Sequence, residues 1–271
     1  MIFLVVGADR VDAGKTTFSV GLLERTGGVG FKPRAGNDYW FDHDDCLSAL
    51  ESGRLYGKDA ARLADAGGRG RDPESLNPVH RLWQPSPSGG SGLLGRTDRE
   101  FVVDRVDEEF VVNATVDVPD RVADALPLAD ATRVETVDEL NALVERTYVP
   151  TFDDLAREIE ATDLAVVESY SDVALPLQSI DRAAITVVAA VEPGRVRLYR
   201  GDRYCRACEV ARSSPKDGTL EKRVPDVIEY LEPLERISLP PLASGSRSDP
   251  RRVAEAYAEA YGAMLEAARE V

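Results

Sequence analysis

The chain has 271 residues and is 43% hydrophobic, enough for a sizeable core in one large domain or two small ones. Its 48 acidic and 33 basic residues give a net charge of −15, which argues against a passive binder of nucleic acid. No apolar run approaches the roughly 20 residues that span a bilayer, so no membrane partner is expected.

Only five of the basic residues are lysines: Lys15, Lys32, Lys58, Lys216 and Lys222. An acidic, lysine-poor surface fits a high-salt cytoplasm, where the Debye length falls to about 3 Å and self-repulsion is largely removed. A GC-rich genome that favours Arg over Lys is the alternative. The N-terminus has no basic segment ahead of its first apolar run, so a signal peptide is not expected and the cytoplasm is the default compartment. Three cysteines, Cys46, Cys205 and Cys208, cannot build a disulfide framework. Cys205 and Cys208 have CxxC spacing, but a structural zinc needs four ligands and no second pair exists.

Ile2-Phe3-Leu4-Val5-Val6 is a continuous apolar run, as a buried parallel strand should be. A loop follows, then a helix over Thr16–Thr26 ended by Gly27-Gly28. Val29 to Lys32 reads as a second strand stopped by Pro33. Residues 34–66 begin as a polar loop and turn helical near Cys46–Ala49 and Lys58–Ala66. Residues 67–97, rich in Gly, Pro and Ser, read as a long surface loop. Phe101-Val102-Val103 and Phe110-Val111-Val112 flank an acidic turn and predict a β-hairpin excursion near 101–113. Helices are expected over Val137–Tyr148 and Phe152–Ile159. Strands follow at Leu164–Glu168 and Ala184–Val191, a helix at Val227–Leu231 and a strand at Ile237–Leu239. A strong helix is expected over Pro250–Ala268. Strands alternating with helices predict an α/β fold with a mostly parallel sheet flanked by helices, read as one P-loop NTPase domain over 1–271.

The loop Gly7-Ala8-Asp9-Arg10-Val11-Asp12-Ala13-Gly14-Lys15-Thr16-Thr17 leaves a strand and enters a helix, the setting a phosphate loop requires. Gly14 permits close backbone approach, and the helix start offers N–H groups to anionic oxygens. Lys15 reaches the β and γ phosphates, Thr16 offers a hydroxyl to Mg²⁺ and Thr17 lies toward the α phosphate. The GxxxxGK[ST] pattern is broken at Asp9, where its first Gly would stand.

With these motifs in view, the sequence resembles the dethiobiotin synthetase and cobyrinate amidoligase group of P-loop ATPases, as an acidic haloarchaeal-type branch. The steps that carry the likeness are Phe31-Lys32-Pro33, Asn37-Asp38, His43-Asp44-Asp45-Cys46-Leu47, Leu76-Asn77-Pro78, Gln84-Pro85-Ser86-Pro87, Val166-Val167-Glu168 and the strand and turn over Val187–Val196. The resemblance implies ATP and Mg²⁺ as cofactors, Lys15 and Lys32 at the transferred phosphoryl group, and Asp44 beside Thr16 and Glu168 at the metal. Its Gly-rich turn after the glutamate is replaced here by Ser169-Tyr170-Ser171-Asp172, so the family's substrate does not carry over. The phosphate loop is also similar to that of polynucleotide 5′-hydroxyl kinases.

On the residues themselves, Lys32 and Glu168 each end a strand-like run and should open on the ligand crevice of an open α/β sheet. Asp44 and Asp45 compete with a plain helix-capping role. Asp38, Tyr39 and Trp40 are pocket candidates, Asp172 an extra acid, and Arg10 a phosphate contact or an exposed arginine. The leading function is an ATP-dependent enzyme activating a small carboxylate or carbamate by phosphorylation. The alternatives are a polynucleotide or small-molecule hydroxyl kinase and a switch ATPase without a metabolic substrate. The absence of an Asn-Lys-x-Asp signature tilts the base toward adenine. The expected partners are a nucleoside triphosphate and an unidentified small molecule, with a homodimer left open.

Charge alone makes one prediction. Unfolding free energy, followed by urea denaturation, should fall as KCl is lowered from molar to about 0.1 M, because self-repulsion is then less screened. Flat stability across that range would remove the high-salt reading.

Overall fold

The apolar run at the N-terminus becomes the middle strand of a six-stranded sheet in the computed structural model, which describes residues 1–8, 13–67, 70–86, 92–211 and 221–270. Among these residues the order begins β1 (Ile2–Gly7), α1 (Lys15–Thr26), β2 (Val29–Phe31), β3 (Arg34–Asp38), α2 (His43–Leu50), α3 (Lys58–Ala66), α4 (Pro73–Leu76), β4 (Val79–Pro85), β5 (Arg99–Val106) and β6 (Glu109–Asn113). It continues with α5 (Asp120–Ala125), β7 (Thr132–Val134), α6 (Val137–Leu143), α7 (Val149–Ala161), β8 (Ala165–Glu168), β9 (Ile185–Glu192) and β10 (Arg195–Arg200). The last elements are α8 (Gly201–Val210), α9 (Val224–Ile228), β11 (Glu235–Ser238), α10 (Ser244–Arg247), α11 (Pro250–Ala256) and α12 (Ala258–Arg269). No helix among the described residues is long and apolar enough to cross a membrane.

The fold is α/β with two mixed sheets, one of them largely parallel. The chain divides into two compact units, Met1–Pro33 with Arg62–Arg71 and Ala156–Val271, and Arg34–Ala61 with Asp72–Leu155. The first unit holds the sheet β11-β10-β9-β1-β8-β2. β2, β8, β1 and β9 run parallel, and β10 and β11 add an antiparallel edge. Every residue of β1 is buried, which is why its sequence shows no polar alternation. Phe3, Val5, Phe18, Leu22, Val187, Ala189, Tyr261 and Met264 share its core.

The second unit holds the sheet β3-β4-β5-β6-β7. The expected hairpin is present as β5 and β6, joined through Asp107, whose φ of 52° lies in the left-handed region. It is no excursion: it forms inner strands of a sheet with packed residues on both faces. Leu82, Val103 and Val112 pack on one face with Cys46 and Val122, and Trp83, Phe101 and Val111 on the other with Leu143 and Tyr148. The expected loop over 67–97 is also corrected, since it contains α4 and β4. β4 carries His80 and Arg81, which hydropathy assigns to solvent, yet both are buried. Arg81 donates through Nε and Nη2 to both carboxylate oxygens of Asp104, and the Tyr148 hydroxyl donates to the same group. Burial, then the neighbouring Asp104 carboxylate, pushes the Tyr148 hydroxyl well above the ordinary phenol range. The polar segment Arg34–Asp38, expected as the start of a loop, is likewise a strand, β3.

The C-terminal helix breaks at Tyr257, whose φ of −105° and ψ of 20° end α11 and begin α12. Beyond the break, Tyr261 lies edge-on to Phe18 and donates its hydroxyl to the Phe18 carbonyl at 2.9 Å. This contact needs Gly21 on α1, where a Cβ would stand 2.4 Å from Tyr261 Oη and 2.6 Å from Val253 Cγ1. Helix propensity favours Ala over Gly by about 1 kcal/mol, but overpacking a tight core costs about 1–3 kcal/mol. Gly21→Ala should therefore destabilise by about 1–2 kcal/mol. Gly262→Ala, in α12 with nothing within 4 Å of its Cβ, should be neutral or stabilise by up to about 1 kcal/mol. Urea midpoints of the two variants check both signs, and equal midpoints would contradict the packing account.

Candidate functional site

Four parallel strands of the first unit end at one edge of their sheet, and that shared polarity assembles the site. Gly7 ends β1, Glu168 ends β8, and Lys32 is the first residue after β2. Phe31 pairs with Val167, so the next residue on each strand brings Lys32 beside Glu168. Val5 pairs with Glu168 on the other side, two residues before β1 ends. The glutamate thus stands between the second strand and the strand β1.

Residues 9–12 lie outside the described residues, and with them the expectations for Asp9 and Arg10. The segment resumes at Ala13 and turns into α1 at Gly14, whose φ of 86° favours glycine. The first turn of α1 carries no acidic residue, so its positive end is not offset locally. Lys15 is the first helical residue. Its ammonium donates to the Ser171 carbonyl at 2.9 Å and lies over Gly7, where a Cβ would come within 2.8 Å of Nζ. The same Cβ would stand 3.1 Å from the Ser171 carbonyl, so the position is tight. Thr17 is half-buried one turn position beyond Thr16.

The centre of the site is Glu168, fully buried. Its Oε1 accepts from the Thr16 hydroxyl at 2.8 Å and from the Lys32 ammonium at 2.6 Å. The Lys32 and Glu168 side chains are 6% and 0% exposed, so the ion pair is shielded from water. Removing one partner from such a pair costs about 3–5 kcal/mol, because the other charge stays buried alone. Glu168 Oε2 is buried and has no hydrogen-bond partner among the described residues, and neither has the neighbouring Ser169 Oγ. A buried polar atom left in that condition costs about 1–3 kcal/mol.

These residues fit a nucleotide and its metal ion. A helix start, two ammonium groups and a glycine-lined backbone suit phosphate oxygens. A hydroxyl and a carboxylate with an unpartnered oxygen are the hard donors that Mg²⁺ takes, and Mg²⁺ keeps several of its waters and uses substrate phosphates for the rest. No cluster of three His, Cys, Asp or Glu side chains able to hold a metal occurs among the described residues, so such an ion would rely on those other ligands. Compared with protein-family models, curated proteins and solved structures, the chain finds no match.

The structure brings Thr16 and Lys32 into direct contact with Glu168 and sets the Lys15 ammonium against the turn that follows Glu168. Asp44 belongs to the second unit, exposed in the first turn of α2. Asp45 pairs with Lys58 at 3.5 Å. Asp38 turns its carboxylate to the backbone N–H groups of Trp40 and Phe41, which fixes a turn whose two aromatic side chains are exposed. Asn77 takes a structural part: its amide donates to the Val79 carbonyl, and its own carbonyl accepts from Arg105. Pro87 lies outside the described residues. Asp172 is buried, 3.9 Å from Arg223 Nε.

Sequence reasoning missed Gly7 and Ser171 as partners of Lys15. Ser171 has a φ of 49°, the region that favours glycine, an angle visible only in the structure.

The thiols of Cys46, Cys205 and Cys208 are buried, and burial is the main cause that pushes them up to about 12, 11 and 12. They stay protonated at neutral pH and are poor nucleophiles. Unfolded thiols ionise near the ordinary 9.0 while the folded ones keep their protons, so folding binds protons at high pH and stability falls as pH rises from about 9 toward 11. Thiol-reactive dye at pH 8 should label the native chain slowly and the urea-unfolded chain at all three cysteines. Rapid native labelling of Cys205 and Cys208 would instead mark an accessible redox pair.

Proposed function

We propose that the first unit is a P-loop NTPase domain that binds Mg-ATP, and that the chain is an ATP-dependent enzyme activating a small carboxylate or carbamate by phosphorylation. The observation that carries this reading is the buried contact of Thr16, at the start of α1, with Glu168, at the end of the neighbouring strand β8. A hydroxyl and a carboxylate held together at a helix start beside a glycine turn suit a phosphate-bound divalent ion better than they suit a core. When bound, that ion supplies charge neutralisation for the β and γ phosphate oxygens.

The chain's own residues have separable parts in this reading. The N–H groups at the start of α1 and the Lys15 ammonium bind phosphate oxygens. Lys15 leaves the Ser171 carbonyl to do so, and a carbonyl is a weaker partner for an ammonium than an anionic oxygen. Lys32 is a second cation at the same edge, this one buried, and offsets charge on the transferred group. In the reaction an oxygen of the substrate carboxylate attacks the γ phosphorus, the bond to the β–γ bridging oxygen breaks, and ADP leaves with that electron pair. The product is an acyl phosphate that a second nucleophile can displace. Adenine is favoured over guanine because the sequence holds no Asn-Lys-x-Asp element.

The test is ligand stabilisation. Mg-ATP at about a hundred times its Kd should stabilise the chain by about 2.7 kcal/mol, a rise of roughly 5 °C in Tm for a protein of this size. Lys15→Ala should lose that rise. Glu168→Gln should keep metal-free nucleotide binding and lose metal-dependent ATP hydrolysis. An equal rise in wild type and Lys15→Ala, or none with any nucleoside triphosphate, would refute the reading.

A further inference from the structure

Two buried ion pairs in this chain are built differently. Arg81 and Asp104 use both carboxylate oxygens, and Tyr148 adds a third donor, so that carboxylate is saturated. Lys32 and Thr16 both crowd onto Oε1 of Glu168, while Oε2 is buried and without a partner among the described residues. A pair serving stability alone gains by satisfying every lone pair it buries. The lopsided pair has a carboxylate oxygen in reserve and a lysine as its present counter-charge.

We infer that Lys32 is a resident counter-cation at a divalent-metal position, and that a metal ion and Lys32 exchange on Glu168. This rests on the nucleotide reading given above. Before the ion arrives, the Lys32 ammonium neutralises a carboxylate that would otherwise be buried alone. The ion competes for the same carboxylate, and its arrival weakens or breaks the Lys32 contact. No proton moves: the lysine stays charged, the glutamate stays charged, and only the partner changes. The exchange adds the ion's two positive charges beside Glu168 while both lysines keep theirs, with Lys32 released toward the anion that accompanies the metal. Thr16 can take part without leaving Glu168, since its hydroxyl hydrogen is donated there while its oxygen lone pairs remain.

Competition of this kind is a negative coupling between the metal and Lys32, and couplings of this class are typically 5- to 150-fold in affinity. The low lysine content gives a direct readout. With five lysines in the chain, lysine side chains labelled with ¹⁵N give at most five ammonium signals, and Lys32→Arg assigns that of Lys32. The wild-type chain, saturated with β,γ-methylene ATP, is titrated with Mg²⁺ by NMR and by calorimetry. The Lys32 signal should shift with the same midpoint as the metal-binding heat. Lys32→Met should bind Mg²⁺ roughly 5-fold or more tightly than wild type, and Glu168→Gln should lose the metal-linked shift of Lys32. Circular dichroism confirms the fold of each variant; should Lys32→Met not fold, the wild-type titration decides alone. Metal binding with an unmoved Lys32 signal, or with equal or weaker affinity in folded Lys32→Met, overturns the exchange. If the analogue itself does not bind, the functional reading falls, and Mn²⁺ is titrated alone by calorimetry and by its paramagnetic broadening of the ammonium signals. Metal-dependent broadening of Lys32 that Glu168→Gln abolishes supports the exchange, and its absence overturns it.

Discussion

A single carboxylate organises the first unit's candidate site. Glu168 is fully buried, and three segments distant in sequence reach it: the start of α1 through Thr16, the end of β2 through Lys32, and β1 through backbone pairing. A charge in that position is tolerated only while an opposite charge stays with it. The register of β2 on β8 is therefore constrained by chemistry as well as by packing. A slip of one residue would turn Lys32 to the other face of the sheet and leave the carboxylate alone. On the far side Lys15 lies across Gly7.

The parts of this site that the sequence displays are those whose signal is local. Gly14-Lys15-Thr16 stands between an apolar strand and a helix, and Glu168 closes an apolar run, so both were readable. Ser171 was not, because it contributes a backbone carbonyl, which no side chain advertises. The second sheet was largely illegible beyond its central hairpin. β4 buries His80 and Arg81, and hydropathy counts such residues as exposed unless their partners are known. Arg81 has its partner on β5, and Asp104 draws a further donor from Tyr148, so the pairing is visible only after folding. The break at Tyr257 was hidden for another reason. Neither Gly nor Pro stands at that position.

The two units manage buried charge in contrasting ways. In the second, Arg105 is nearly enclosed and is held by the carbonyls of Leu55, Asn77, Pro78 and Asp107. Desolvation brings its guanidinium down to about 10, still far above neutral pH, so it remains a fixed cation serving the backbone around it. In the first unit, the buried charges gather at the carboxyl ends of parallel strands, with an unpartnered oxygen and a strained turn among them. A buried carboxylate oxygen in that condition calls for a partner that the described residues do not supply.

The order of strands in the first sheet also bears on how the chain is made. β1 ends at Gly7, but its two neighbours, β8 and β9, begin at Ala165 and Ile185. At ribosomal speeds of 5–20 residues per second, roughly 8–30 s separate the synthesis of β1 from that of its first partner. All five strands of the second sheet lie between Arg34 and Val134, so they emerge in that interval. An apolar strand kept waiting with both edges open is a template for wrong pairing. The nascent chain therefore needs chaperone cover over β1 until β8 leaves the ribosome.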